Sequence, residues 1–304
     1  MKNLQELPKL SDSISYLYLE HAIIEQDAAS IVAIRKDGQI PIPVASVTCL
    51  LLGPGVSITH AAIRALCDNG CMAIWCGENA GRFYASGIGE TRSNKNLMIQ
   101  ARCCMDEQRH MEVVRRMYAI RFPGIQTDGL TLQQIRGMEG IRVRKVYEQM
   151  SRRTGVKWKK RTYKTDDWEG TDEINRALSE ANALLYGLCH AAIVSLGYSP
   201  GLGFVHMGKQ LSFVYDVADL YKTETTIPAA FDAVKEGNDI HRNLRVLCRR
   251  YFANARILSR ISEDLSHLFA EKVAEENENE RHPGALWDAE GTVSGGKNYG
   301  QGEA

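Results

Sequence analysis

A histidine and two aspartates in the second half of the sequence have the residue types and the spacing of a metal site. His206 lies within residues 203–209, where flanking glycines let a backbone or a ligand approach closely. Asp216 and Asp219 follow three residues apart and would share one helix face among apolar neighbours. Because buried carboxylates need a partner, a hard divalent cation would satisfy them. The alternatives are a structural histidine and an acid pair that faces water or an arginine.

A glutamate framed by glycines is the third candidate ligand. Glu139 lies between Gly137 and Gly140 in a helical pattern, and each glycine costs a helix interior about 1 kcal/mol relative to alanine. This cost predicts that something approaches Glu139 closely, as a phosphate does beside a metal ligand. The alternative is a helix–helix contact through the glycines, with Glu139 paired to Arg136 or Arg142.

Two basic stretches flank these candidate ligands and are typical of nucleic-acid binding. Residues 152–164 hold seven lysines and arginines together with Trp158, so cations would hold phosphates while rings stack on bases. Residues 242–251 place arginines on one helical stripe and apolar residues on another. Each stretch alone is also typical of a solvated surface. The residues predicted to contact DNA are Arg64, Arg82, Arg142, Lys160, Arg161, Tyr163, Arg242, Arg245 and Arg249.

The hydrophobic pattern divides the chain into parts that must position these residues. Residues 1–90 alternate like strands and include an Asp37-Gly38 hairpin signal, residues 91–276 have helical periodicity, and 277–304 are predicted to be a disordered tail. The predicted fold class is α+β, with a small β-rich N-terminal domain followed by a larger all-α catalytic domain. Strands are predicted at 13–19, 29–34, 40–44, 47–52, 71–76 and 82–85. Helices are predicted at 59–68, 96–121, 131–153, 172–196, 211–222, 228–236, 240–252 and 255–275.

Composition narrows the class of protein and of partner. The 37 basic and 37 acidic residues cancel, but residues 271–304 hold eight acids against three bases, so the preceding body is mildly basic and favours an anionic partner. The eight cysteines form no C-x-x-C pair and are predicted to be reduced core residues. Neither a signal peptide nor a membrane span is expected, which predicts a cytoplasmic protein without a membrane partner.

These motifs together resemble the CRISPR-associated spacer-acquisition integrase family, and most strongly its type I-E branch. Glu139 in R-G-M-E-G-x-R, His206 in G-F-V-H-x-G-K and Asp219 in S-F-V-Y-D-x-A-D match the Glu–His–Asp metal site of that family. The resemblance extends from about residue 18 to about residue 270. It implies that these three catalytic residues bind Mg²⁺ or Mn²⁺. Outer positions in the metal shell or at the phosphate are predicted for Asp216, Lys209 and Arg136.

The resemblance also implies a reaction and an assembly. The 3′-hydroxyl of a double-stranded fragment with 3′ overhangs would attack a phosphodiester of CRISPR repeat DNA, a transesterification that needs no ATP, and with water as nucleophile the same site would cut DNA. A homodimer is implied, with the N-terminal domain serving dimerisation and DNA-end contact. Two such dimers would assemble on a dimer of a small ferredoxin-like adaptation subunit. His21 stands where some members place a tyrosine that caps the DNA end.

Two other function classes stay open at this point. One is a repair nuclease for branched DNA that performs no integration into an array and has no dedicated partner. The other is a non-catalytic DNA-binding scaffold, which would need the basic surface but not the Glu–His–Asp set.

Overall fold

Most of the described chain divides into a strand-rich part followed by a helical part. The structure, a computed structural model, describes residues 16–28, 30–44, 47–78, 82–87, 94–124, 129–161, 172–270, 286–288 and 291–293. The strand-rich part runs to Gly87 and the helical part begins at Lys95, so the predicted α+β class is confirmed.

Two four-stranded sheets and one helix make up the N-terminal part. In chain order the elements are β1 (Tyr16–Leu19), β2 (Ile23–Asp27), β3 (Ser30–Arg35), β4 (Gly38–Ile42), β5 (Cys49–Leu52), β6 (Ser57–Ile58), α1 (His60–Asp68), β7 (Met72–Cys76) and β8 (Phe83–Gly87). The sheet orders are β1-β5-β7-β8 and β4-β3-β2-β6. In the first sheet β1, β5 and β7 are parallel, and β8 is antiparallel to β7.

The hairpin predicted at Asp37-Gly38 is confirmed, whereas the strands β2 and β6 were not predicted. Strands β3 and β4 pair antiparallel with Arg35 opposite Gly38, which leaves Lys36 and Asp37 as the turn. Strand β2 was not predicted, because only Ile24 of its five residues is buried and its polar end resembles a loop.

Helices account for the regular structure described between residues 94 and 270. They are α2 (Lys95–Met105), α3 (Glu107–Arg121), α4 (Leu132–Thr154), α5 (Glu173–Ser195), α6 (Ser212–Asp219), α7 (Thr226–Glu236), α8 (Ile240–Asn254) and α9 (Ile257–Leu268). The prediction of a single helix over 96–121 was wrong. Asp106 has extended backbone angles, and its carboxylate accepts a hydrogen bond from the backbone N–H of Arg109 at 2.8 Å, so a new helix begins there.

Helix α5 forms the centre of the helical part and contacts the first sheet. Its Ser195 Oγ lies 3.0 Å from the Tyr16 hydroxyl, and its His190 ring stacks on Phe83 with centroids 3.8 Å apart. By length and composition this helix would pass as a membrane span, but most of the apolar stretch is buried within the fold. A core helix meets the same criterion, so the apolarity of α5 is explained by packing.

Two smaller expectations concern the cysteines and the tail. All eight cysteines are thiols rather than disulfides, and six of them are buried, as predicted. In the tail β9 (Leu286–Asp288) and β10 (Gly291–Val293) pair antiparallel, which the prediction of a disordered tail did not include. The other residues of 277–304 lie outside the described part of the chain.

Candidate active site

The loop that carries His206 depends on a close backbone approach. A Cβ added at Gly203 would overlap the carbonyl oxygen of His206 and lie 2.7 Å from Cβ of Ser212. Glycine is therefore required at position 203, where the loop folds back against the start of α6. The glycine expected from the sequence to permit close approach serves the protein's own backbone.

Two side chains of α2 and α3 hold this loop from the other side. Gln100 is fully buried, and its Nε2 donates to the carbonyl oxygens of Ser199 at 3.0 Å and Leu202 at 2.9 Å. Its Oε1 accepts from the backbone N–H of Ser199 at 2.7 Å. The ring of His110 brings Nε2 to 2.8 Å from the carbonyl oxygen of Phe204. The backbone around His206 is thus fixed by hydrogen bonds from outside the loop.

Asp216 orients His206. Its carboxylate accepts hydrogen bonds from three backbone N–H groups, those of Phe204 at 2.6 Å, Val205 at 3.1 Å and His206 at 2.9 Å. It also accepts from Nδ1 of the His206 ring at 2.7 Å, which leaves Nε2 as the nitrogen available to a ligand. This hydrogen bond raises the pKa of His206, although burial acts in the opposite direction.

Glu139 and Asp219 meet at one cation. Nη1 of Arg121 contacts Oε1 of Glu139 and lies 3.5 Å from Oδ2 of Asp219. The other oxygen of Asp219 lies 2.5 Å from Nζ of Lys222, which also donates to the Tyr186 hydroxyl at 2.8 Å. Both carboxylates are mostly buried, with 19% and 18% of their side chains exposed. Side chains from α3, α4 and α6 therefore converge on one small pocket.

Two neighbouring groups show how strongly this pocket is shielded from water. Burial alone would lower the pKa of Lys222, but the Asp219 carboxylate and the Tyr186 hydroxyl together outweigh burial, and the pKa lies above its ordinary value. Tyr118 is buried beside Glu139, and burial together with that negative charge raises the pKa of its hydroxyl. Electrostatic interactions between charged groups in this pocket are therefore stronger than they would be in water.

The donor set suits a divalent ion, although the arrangement of the side chains does not yet enclose one. Two carboxylates and an imidazole nitrogen are ligands that Mg²⁺ or Mn²⁺ accepts. Among the described residues no three His, Cys, Asp or Glu side chains are placed to hold an ion together. The guanidinium of Arg121 stands between Glu139 and Asp219, so these residues fit an ion once that group is displaced.

The glycines beside Glu139 face open space. A Cβ at Gly137 or Gly140 would meet nothing within 4 Å, so the alternative of a glycine-mediated helix–helix contact does not hold within the described chain. Pairing of Glu139 with Arg136 or Arg142 was also wrong, because its partner is Arg121. The surface next to Glu139 on α4 is left open to another molecule.

The predicted phosphate-neutralising residues, Arg136 and Lys209, and the predicted DNA contact Arg142 do not line the pocket beside His206 and Asp219. Arg136 is exposed on α4 and close enough to Tyr118 to affect its pKa. Lys209 is exposed and does not line the pocket, and its backbone N–H donates to Ser212 Oγ at 3.0 Å. The guanidinium of Arg142 lies over the Phe122 ring, 5.1 Å from the centroid.

Four of the arginines predicted to contact DNA line adjoining depressions between the strand-rich and helical parts. Arg242, Arg245 and Arg249 of α8 line a cavity of about 520 Å³ together with Glu78. Arg82 lines the neighbouring cavity of about 600 Å³, which shares Arg245 and Glu78. Together the two cavities form a groove in which the four arginines are matched by four acids, Glu20, Glu78, Glu180 and Asp239. Arg245 forms ion pairs with Glu78 and, at 3.6 Å, with Glu180.

The other residues predicted to contact DNA differ in exposure and in their partners within the chain. Arg161 is used internally, since Nη1 donates to the Asn175 side chain at 2.7 Å and Nη2 donates to Ser179 at 2.8 Å. The backbone carbonyl of its neighbour Lys160 accepts from Asn175, and the Lys160 residue is exposed. Arg64 is exposed on α1 and 4.0 Å from Asp68. Tyr163 lies outside the described residues.

His21 follows β1 in a left-handed backbone conformation, with φ of +51°. It is exposed, and its ring lies so close to Gly55 that an added Cβ there would be 2.5 Å from Nδ1. Gly55 also has a positive φ of +73°. The position at which some relatives are expected to hold a tyrosine is therefore a turn that presents an imidazole at the surface.

Several residues of the site were not predicted from the sequence: Gln100, His110, Tyr118, Arg121, Tyr186 and Lys222. Lys222 lies three residues after Asp219, a spacing that signals an ion pair on one helical face and was available in the sequence. Arg121 carried no such signal. It closes a helix that holds other arginines, and only the packing of α3 against α4 and α6 selects it.

The family model described as CRISPR associated protein Cas1 matches residues 15–127 and 124–239 of this chain. The chain belongs to the Cas1 family. The predicted resemblance is thereby confirmed at the level of the family. The matched segments include Glu139, His206, Asp216 and Asp219.

Curated relatives and solved structures agree with this assignment. The chain is 49% identical to the CRISPR-associated endonuclease Cas1 2 of Thermus thermophilus over 305 residues, which cover 98% of this chain and 94% of the relative. It is 40% identical to the CRISPR-associated endonuclease Cas1 of Escherichia coli K12 over 255 residues, 83% of each protein. The crystal structure of a TtCas1–DNA complex is 51% identical, with a TM-score of 0.80 over 86% of this chain and 99% of that one.

Proposed function

We propose that this Cas1 family member is a divalent-metal-dependent DNA integrase and endonuclease of the type I-E branch. It inserts short foreign DNA fragments into a CRISPR array when the fragment's 3′-hydroxyl attacks a phosphodiester of the repeat. The observation that carries the proposal is the convergence of Glu139 and Asp219 on a single cation beside an imidazole oriented by Asp216. A DNA-binding scaffold has no need for such a buried set of acids.

The residues of the pocket divide the chemical work. Glu139, Asp219 and Nε2 of His206 would hold Mg²⁺ or Mn²⁺, which supplies charge stabilisation at the attacking and leaving oxygens when bound. Asp216 fixes the tautomer and the ring orientation of His206. Arg136 and Lys209, both exposed, would neutralise the phosphate. One phosphodiester bond forms as another breaks, so the exchange requires no ATP, and water in place of the hydroxyl gives cleavage.

The groove between the two parts of the molecule is the proposed DNA path. Its arginines would neutralise phosphates along a duplex, which gives affinity without sequence specificity. A relative 51% identical to this chain has been crystallised with DNA, which supports this part of the proposal. Dimerisation, assembly of two dimers on a small ferredoxin-like subunit dimer, and a cytoplasmic location belong to the same proposal.

A joining assay separates the proposed function from its alternatives. Purified protein and the small partner subunit are incubated with a labelled 3′-hydroxyl fragment and a supercoiled plasmid that carries a CRISPR repeat, with Mn²⁺ or with EDTA. We expect label covalently joined to plasmid in Mn²⁺ only, and only when the partner is present. Cleavage without joining, independent of the partner, would favour a repair nuclease. Binding that survives EDTA, without any product in Mn²⁺, would favour a scaffold.

A further inference from the structure

Arg121 occupies the space between the two carboxylates proposed as metal ligands. It is the last residue of α3, and only 11% of its side chain is exposed. Its Nη1 touches Glu139 and lies 3.5 Å from Asp219, while its Nε is buried without a hydrogen-bond partner among the described residues. A guanidinium this buried depends on anionic partners. The protein's own cation therefore stands where a divalent ion would bind.

The pocket leaves almost no room for an ion while Arg121 is in place. The free volume on the side of Arg121 that faces His206 and Asp219, which Glu139 does not line, is about 10 Å³. A single water molecule needs roughly 10–15 Å³, and a Mg²⁺ ion usually keeps several waters. The absence of a three-ligand metal group among the described residues agrees with this volume. An ion can enter only if a side chain moves.

The balance of charge identifies Arg121 as the group that moves. Glu139 and Asp219 are already matched by Arg121 and Lys222, and Nζ of Lys222 is 2.5 Å from Asp219. A divalent ion added to this set would place three cations around two carboxylates in a partly buried pocket, where like charges repel strongly. Lys222 contacts only Asp219 of the two acids, whereas Arg121 contacts both, so the guanidinium and the ion compete for the same oxygens.

We propose that Arg121 is a positioning residue that closes this site in the metal-free protein, and that a divalent ion binds Glu139 and Asp219 in exchange for it. The proposal rests on the metal site of the proposed function and adds a step to it. In the metal-free state Arg121 keeps two acids from α4 and α6 together. It also sets the affinity for the ion below that of the bare ligands, because binding must break its two contacts.

Metal titration tests the exchange without reference to activity. Mn²⁺ is titrated calorimetrically into the metal-free full-length chain as wild type, Arg121→Gln, Arg121→Lys and the control Arg115→Gln, which lies exposed on the same helix. We expect Arg121→Gln to bind Mn²⁺ tighter by roughly 10- to 100-fold, the range of one lost hydrogen bond to a charged group. The Mn²⁺ affinity of Arg121→Lys should lie between those of wild type and Arg121→Gln, because an ammonium cannot span both carboxylates as a guanidinium does. Arg115→Gln should match wild type.

Unchanged or weaker Mn²⁺ binding by Arg121→Gln would overturn the exchange, since a merely structural Arg121 predicts loss of affinity. If circular dichroism shows that Arg121→Gln does not fold, the Mn²⁺ affinity of Arg121→Lys is the test. Tighter binding than wild type supports the exchange, and unchanged or weaker binding overturns it. The variant Glu139→Gln distinguishes failure of the proposed metal site from failure of the exchange with Arg121. If wild type binds Mn²⁺, Glu139→Gln does not, and the Arg121 variants bind no tighter than wild type, the metal site is supported and the exchange with Arg121 is wrong. When all variants bind Mn²⁺ equally weakly, both fail.

Discussion

The carboxylate of Asp216 accepts a hydrogen bond from Nδ1 of His206 at 2.7 Å. The same carboxylate accepts from the backbone N–H groups of residues 204–206 and is fully buried. One side chain thus sets both the path of the loop and the tautomer of the histidine. Asp216, which the sequence placed in the outer shell of the metal site, acts here through His206, and Asp219 is the aspartate that turns to the pocket with Glu139.

Asp216→Asn should weaken metal binding more than it weakens the fold. The amide keeps the volume, but its NH₂ group replaces one accepting oxygen and therefore opposes either the N–H groups of Phe204 and Val205 or those of His206. We expect Mn²⁺ affinity to fall on the order of 10- to 100-fold, as for loss of other groups that orient a ligand. Calorimetric titration measures this loss, with Asp68→Asn on the exposed end of α1 as the control. Unaltered Mn²⁺ affinity in Asp216→Asn would remove the orienting role.

Gln100→Ala should loosen the His206 loop. Three hydrogen bonds to Ser199 and Leu202 disappear, and each backbone group left buried and unpaired costs about 1–3 kcal/mol. We expect faster amide exchange over residues 199–206 and a lower unfolding midpoint in urea. Arg102→Ala, at an exposed position of the same helix, serves as the control. Equal exchange in the two variants would show that the loop is held by other contacts.

The contact between α5 and the first sheet should weaken in acid. Burial lowers the pKa of His190, stacked on Phe83, to about 4. Because the unfolded chain takes up this proton near pH 6.5 and the folded chain does not, stability is full above that pH and falls as pH decreases towards 4. His190→Gln should show a shallower decline over this window in thermal melts. Parallel profiles for the two proteins would contradict this assignment.

Arg249 and Arg161 should separate DNA binding from stability. Arg249 lines the groove, so Arg249→Gln should weaken binding to any duplex and reduce the salt slope by about one. Arg161 is held by Asn175 and Ser179, so Arg161→Gln should lower the unfolding midpoint instead. Fluorescence anisotropy at several salt concentrations and urea denaturation measure the two effects. The reverse pattern would restore Arg161 to the DNA surface.

Local signals in the sequence predicted much of the fold. The hairpin signal at Asp37-Gly38 and the caps at Thr59 and Thr131 each act through the backbone of their own segment, and the structure has a hairpin, α1 and α4 at those places. At Asp106 the local signals did not predict the structure. The helical pattern continues past it, and the break at Asp106 depends on a capping bond that competes with continuation of the helix.

The candidate site was predicted unevenly for a related reason. Glu139, His206 and Asp219 lie in distinctive motifs, so their residue types and spacing are informative on their own. Arg121 lies in the site because α3, α4 and α6 pack together, and no spacing along the sequence indicates this packing. Arg161, in a basic stretch typical of DNA binding, hydrogen-bonds Asn175 and Ser179 within the chain, and its contact with DNA stays a prediction.

The most direct test of the account replaces one ligand and one matched residue in the joining reaction. Glu139 and Glu148 lie on the same helix, and Glu148 is exposed. With fragment, repeat plasmid, partner subunit and Mn²⁺ fixed, the covalently joined product is quantified for wild type, Glu139→Gln and Glu148→Gln. We expect joining by wild type and Glu148→Gln and none above the EDTA background by Glu139→Gln. Joining by Glu139→Gln at the wild-type rate would contradict the claim that this pocket performs the chemistry.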